Sequence, residues 1–184
     1  MELKFAADGL TIKISNASPH QTTDVPTNAT TYRLNPSPYE PTSRHVVEVA
    51  DEKGHSRACV LIAGGGATTV HAHSALVQGR NLIIAVGPRL CALGLPDLDL
   101  RWNVAVDQAT CFGVHYSSKH NCFISHGELE IARVALDGSI VWTVGGKDIF
   151  TEALTLHDDY LDAIDFNHEK YRIEIESGRS SIVE

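Results

Sequence analysis

Internal repetition limits what this chain can fold into more than any other feature. Shifted by forty residues without a gap, Asn81 falls on Asn121, Gly87 on Gly127, Ala92 on Ala132, Asp97 on Asp137, Trp102 on Trp142 and Val104 on Val144. A second shift carries Gly127 onto Asn167, Ile131 onto Tyr171 and Gly138 onto Gly178. In each unit a short apolar run ends at Gly or Asn, an alternating run follows and a turn intervenes, and the first two units close on a run holding Trp. That order reads as three or four short antiparallel strands per unit. A unit of this size cannot bury its sheet face alone, and stacking like units solves the problem. Residues 81–184 are therefore expected to form an all-β array. No apolar pattern holds helical spacing over three turns, so no long helix is expected.

The residues ahead of the repeats extend the same reading. Leu3 and Phe5 alternate with charged residues, Asp8-Gly9 supplies a turn, and Leu10, Ile12 and Ile14 resume the alternation. Residues 1–14 thus read as an N-terminal β-hairpin. From 15 to 43 the chain is rich in Ser, Thr and Asn, and Pro19, Pro26, Pro36, Pro38 and Pro41 oppose ladder pairing, the marks of a polar loop or arm. Alternation returns at 45–49 and 58–63, on either side of Asp51-Glu52-Lys53-Gly54. A chain of 184 residues can bury a core of its own, and one domain with residues 44–184 as its repeat body is the expectation.

Ala132, Gly138 and Trp142, in the run Ala-Arg-Val-Ala-Leu-Asp-Gly-Ser-Ile-Val-Trp, resemble the propeller repeat of quinoproteins. In that family an Ala, a turn Gly and a Trp recur at this spacing, and the Trp docks neighbouring blades. Ala92 and Trp102 match in the first unit, where Leu98 replaces the turn Gly; in the last unit Gly178 matches and Ile182 stands at the Trp position. The resemblance implies an antiparallel meander of three to four propeller-like blades, fewer than a whole propeller of this family holds. Three arrangements stay open: closure by the N-terminal strands, an open relative of the propeller, or completion by association of chains. The signature is structural, and it implies no quinone cofactor.

Charge narrows the partners. Against 23 Asp and Glu stand 15 Lys and Arg, for a net charge of −8. That balance opposes a phosphate backbone or an anionic bilayer, so neither nucleic acid nor membrane is expected. Met1-Glu2-Leu3-Lys4-Phe5 leads into no apolar signal core. Cys59, Cys91, Cys111 and Cys122 sit in apolar runs with no C-x-x-C, the pattern of reduced, strand-borne thiols in a cytoplasmic protein.

Two sets of residues could hold a metal. His71-Ala72-His73 follows Gly65 after five intervening residues, a spacing similar to the first motif of the cupin family. On a strand, two such imidazoles project from one face about 7 Å apart. Gln78 stands where that family carries Glu, and no downstream Pro-x-Gly brings in a further ligand. The second set is Cys111, His115, Cys122 and His126. With Ser117–His120 as a hairpin loop, His115 would face Cys122 and Cys111 would face His126, the two pairs about 13 Å apart and too far for one ion.

Other motifs take plainer readings. Gly64-Gly65-Gly66 suits a bend where backbones approach, and Asp158, Asp159, Asp162, Asp165 and Glu169 suit a solvated edge. Ala92, Trp102, Ala132, Gly138, Trp142 and Gly178 are structural repeat positions. No catalytic residue is assigned, because no nucleophile, base and orienting group arrive together at a recognisable spacing. The sequence points first to a non-enzymatic cytoplasmic binding or scaffolding protein that engages a protein partner, with homo-oligomer formation open. The first alternative is a metal-dependent enzyme or sensor holding a divalent ion through His71 and His73, with His115, His126 or Glu128 as a third ligand. The second is a small acidic partner of a toxin or effector.

Overall fold

The computed structural model describes residues 2–17, 26–35 and 40–183, so Pro19, Pro36 and Pro38 of the polar stretch lie outside the described residues. Among the described residues there is no helix, and so none long and apolar enough to cross a membrane. The first sheet contains β1 (Glu2–Ala7), β2 (Leu10–Asn16), β3 (Thr30–Arg33), β4 (Ser43–Asp51) and β5 (Ser56–Ala63), in the order β1-β2-β4-β5-β3. Three antiparallel meanders follow, each of four strands in chain order. The second sheet is β6 (Ala75–Gln78), β7 (Asn81–Val86), β8 (Arg89–Gly94) and β9 (Asp99–Ala105). The third is β10 (Cys111–Ser117), β11 (Cys122–Gly127), β12 (Glu130–Val134) and β13 (Ile140–Gly145). The fourth is β14 (Leu154–Leu156), β15 (Tyr160–Ile164), β16 (Lys170–Glu174) and β17 (Ser180–Val183).

Strand alternation divides each inner sheet between two neighbours. Leu82, Ile84, Cys91 and Leu93 turn toward the first sheet and pack on Ile12, Ile14, Val47 and Leu61. Ile83, Ala85, Leu90 and Ala92 turn the other way and meet Val114, Phe123, Ala132 and Val134 of the third sheet. The third sheet's far face, with Cys122, Ile124 and Ile131, packs on Leu161, Ala163 and Ile173 of the fourth. Burial on both faces explains why Leu82–Val86 reads as a continuous apolar run rather than an alternating one. The second and third sheets come closest where β10 meets β6 and β7, so the first strands form the inner side of the stack.

The face of the fourth sheet away from the third is polar. Asp162, on the side of β15 opposite Leu161 and Ala163, accepts a hydrogen bond from Arg172 Nε at 3.0 Å and pairs with Lys170 Nζ at 2.9 Å. The Arg172 guanidinium lies 4.0 Å over the Tyr160 ring.

The structure departs from three sequence expectations. The polar stretch contains a strand: β3 pairs parallel with β5, Thr30 opposite Cys59 and Arg33 opposite Ile62. No proline falls within Thr30–Arg33, so every amide there can join the ladder. The β10–β11 hairpin has a different register, with Ser117 opposite Cys122, His115 opposite Ile124 and Gly113 opposite His126. Asn121 tolerates a left-handed φ of 48°, which moves the turn one residue along the chain, and a bulge follows Cys111. Cys111 consequently faces the second sheet and Cys122 the fourth, on opposite sides of their own sheet. The acidic run is also not a solvated edge throughout. Asp165 is fully buried, its carboxylate accepting from the amides of Asn167 and Glu169 and from the Tyr171 hydroxyl.

Candidate functional site

The repeat positions sit at the seams between sheets. Trp102 Nε1 donates to the Leu136 carbonyl at 3.0 Å, and its indole covers Gly138, where a Cβ would come within 2.7 Å of Trp102 Cδ2. One seam on, Trp142 Nε1 donates to the Ile175 carbonyl at 2.9 Å and covers Gly178, where a Cβ would come within 2.8 Å of Trp142 Cγ. Gly138 and Gly178 have φ of 90° and 72°, and Leu98, at the equivalent station of the second sheet, has 59°. Ala92 and Ala132 are fully buried in the interface that joins their two sheets. All six positions lie between neighbouring sheets.

The histidines converge elsewhere. His71, His73, His115 and His126 line one pocket of about 420 Å³ on the inner side of the third sheet, together with Phe112, Gly113 and residues 151–154. His71 and His73 lie in a turn before β6 and not on a strand as the spacing suggested, because the Ser74 amide donates to the His71 carbonyl at 3.0 Å and closes the turn. This turn is clamped onto β10. The Val114 amide donates to the His73 carbonyl at 2.9 Å, and His71 Nε2 lies 2.7 Å from the Phe112 carbonyl as donor. Gly113 makes the approach possible, since a Cβ there would lie 2.7 Å from the His73 carbonyl oxygen.

The rings are close but not alike. His73 and His115 have centroids 5.0 Å apart at an interplanar angle of 30°, whereas His71 and His73 stand 6.3 Å apart at 65°. His126 packs edge-on against Phe112 at 5.7 Å, and its Nε2 is buried without a hydrogen-bond partner. Burial pushes the pKa of both His115 and His126 down to about 4, leaving them neutral near pH 7. Among the described residues, no three metal-ligating side chains are grouped around a single point. Glu128 is not part of the pocket lining; the carboxylate found there is that of Glu152.

Sequence reasoning missed Asp107. This buried residue accepts four backbone amides, from Ala109 and Thr110 at Oδ1 and from Leu129 and Glu130 at Oδ2, and so fixes the β9–β10 loop against the turn before β12. An Asp followed two and three residues on by amides it can cap is a recognisable local signal, but the second pair lies more than twenty residues away. The triple glycine acts as expected: the Gly66 amide donates to the Ala109 carbonyl at 2.8 Å, and a Cβ on Gly66 would overlap the Thr110 hydroxyl.

Comparison with solved structures matches this architecture. The CNH domain of AfRom2 aligns with all of the chain at a TM-score of 0.56 and 8% identity, covering 54% of that structure. BamB from Moraxella catarrhalis aligns with 74% of the chain at a TM-score of 0.53 and 18% identity, covering 42% of that structure. The fold is propeller-type. The WD40 β-propeller domain of Doa1 is also similar, over 76% of the chain and 46% of that domain, at a TM-score of 0.48 and 13% identity. The chain therefore spans about half the length of these structures. No family model matches the chain, and no curated protein is a significant match.

Proposed function

We propose that the chain is a non-enzymatic binding module that docks a protein partner along the rim formed by the β12–β13 hairpin. One observation carries this reading: Leu136, Ile140 and Val141 are 42%, 40% and 52% exposed on a single hairpin, beside the half-buried Trp102. Apolar side chains grouped in this way have the composition of an interface centre rather than of a solvated turn. β13 is also the outer strand of its sheet, bonded on one side to β12, and its other side offers backbone donors and acceptors to an added strand.

The groups an enzyme would draw on support the same reading. Burial raises the thiols of Cys59 and Cys111 to about 12, away from the thiolate form a nucleophile needs. The carboxylates of Asp107 and Asp165 accept amides and a hydroxyl of the fold itself. To test the proposal, wild type and an Ile140→Glu/Val141→Lys double variant are compared as baits, with cross-links mapped by mass spectrometry. The reading expects a partner cross-linked to residues 136–145 whose recovery drops roughly tenfold in a variant that folds like wild type. Equal recovery by both baits would remove it.

A further inference from the structure

The pocket on the inner side of the third sheet contains more than a seam requires. His71 is committed, with Nε2 donating to the Phe112 carbonyl and Nδ1 facing the His73 amide at 3.3 Å, so it serves to clamp the turn. Among the described residues, the rings of His73 and His115 have no hydrogen bond of this kind, and all three remaining imidazoles line the pocket. His126 Nε2 is buried with no partner, an arrangement that proteins rarely leave unexplained. A neutral imidazole keeps one ring-nitrogen lone pair free for a cation.

The spacing of the rings specifies what kind of cation. A metal–imidazole bond is about 2.1 Å, so two imidazoles on one tetrahedral ion have centroids about 5 Å apart. His73 and His115 stand at 5.0 Å. The 6.3 Å between His71 and His73 is too wide for that geometry, which again separates the clamp from the ligands. His126 lies opposite Gly113 on the adjacent strand, so its ring is the diagonal neighbour of His115 on the same face of the sheet. Gly113 places no side chain between them, so an ion at the His73–His115 pair would have to draw His126 Nε2 toward it, a convergence the three rings do not show as they stand. Neutral imidazoles favour borderline ions such as Zn²⁺, Ni²⁺ and Cu²⁺ over Mg²⁺ or Ca²⁺, which prefer oxygen.

We propose that His73 and His115, joined by His126, bind one divalent transition-metal ion, with His71 as a positioning residue that holds the turn in place. The site does not depend on the partner-docking rim, because it lies on the inner first strand and the rim on the outer last strand of the same sheet.

The test uses the full chain after dialysis against a chelator. Zn²⁺ is titrated calorimetrically, and substoichiometric Cu²⁺ is added while the ring Cε1–H signals of the ten histidines are followed by NMR. The proposal expects one equivalent of Zn²⁺, and selective broadening of His73, His115 and His126 ahead of the exposed His55 and His157. His73→Asn and His115→Ala should each weaken Zn²⁺ binding roughly tenfold or more, while His55→Ala leaves it unchanged. His73→Asn changes an exposed turn residue, so the test stands even if the His115 variant fails to fold. No Zn²⁺ binding, binding unaffected by His73→Asn, or Cu²⁺ broadening spread evenly over all the histidines would each overturn the proposal.

Discussion

The seam between the first and second sheets and the two seams that follow it solve one packing problem with different chemistry. In the later seams an indole lies on a turn glycine and its N–H closes on a backbone carbonyl of the next sheet. In the first seam the Tyr32 hydroxyl donates to the Leu98 carbonyl at 3.0 Å, and polar side chains add further links. Asn103 Nδ2 donates to the Leu34 carbonyl, and Asn16 accepts from the Val70 amide. Leu98, Gly138 and Gly178 share a left-handed φ, yet only the last two must be glycine. A side chain at 138 or 178 would enter the indole above it, whereas Leu98 is 2% exposed and fills the core that joins the first two sheets. The covering ring, more than the backbone angle, sets the demand for glycine.

That distinction predicts opposite responses at equivalent stations. Gly138→Val places a β-branched residue at φ 90° and drives its Cβ into Trp102, adding strain to overpacking. The expected loss is about 4 kcal/mol of unfolding free energy by urea denaturation. Leu98→Gly relieves the backbone but empties a core site, and a smaller loss of about 2 kcal/mol is expected. If Leu98→Gly cost as much as Gly138→Val, or if Gly138→Val were neutral, the comparison between seams would fail.

A second prediction concerns a buried group in the first sheet. His45 is fully buried, its Nε2 is 3.2 Å from the Thr68 hydroxyl, and desolvation lowers its pKa from 6.5 to about 4. The native state thus binds fewer protons than the unfolded state between those values. Its contribution is complete above pH 6.5 and is lost as the pH falls toward 4. Relative to a His45→Gln variant, wild type should lose about 2 kcal/mol of stability between pH 7 and pH 5. Parallel pH curves for the two proteins would show that His45 does not titrate as its burial requires.

The same contrast explains what could be read in the sequence. Trp102, Gly138, Trp142 and Gly178 announced their seams because a residue type was forced at each station, and the forty-residue period carried that signal directly into the sheets. Tyr32 and Leu98 gave no such signal, since neither residue type is unusual and the strand carrying Tyr32 lies in a proline-rich stretch. The histidines were visible as two separate pairs. Their meeting depends on a turn before β6 docking onto β10 through Gly113, a contact across some forty residues that no local spacing encodes. The two-residue difference in the β10–β11 register came from the same limit, because the turn position follows from Asn121 tolerating positive φ.

The smallest expected effect separates the two seam designs most finely. Tyr32→Phe keeps the aromatic ring against the first core and removes only the hydroxyl that reaches Leu98. A hydrogen bond of this kind contributes about 1 kcal/mol, so the urea midpoint should fall by a corresponding amount with an unchanged m-value. An unchanged midpoint would mean that ring packing alone joins the first two sheets, making this seam more like the indole seams than its bonding suggests. A drop in m-value would instead show that β3 detaches when its hydrogen bond to the β8–β9 turn is removed, because a strand at a sheet edge unfolds locally before the rest of the array.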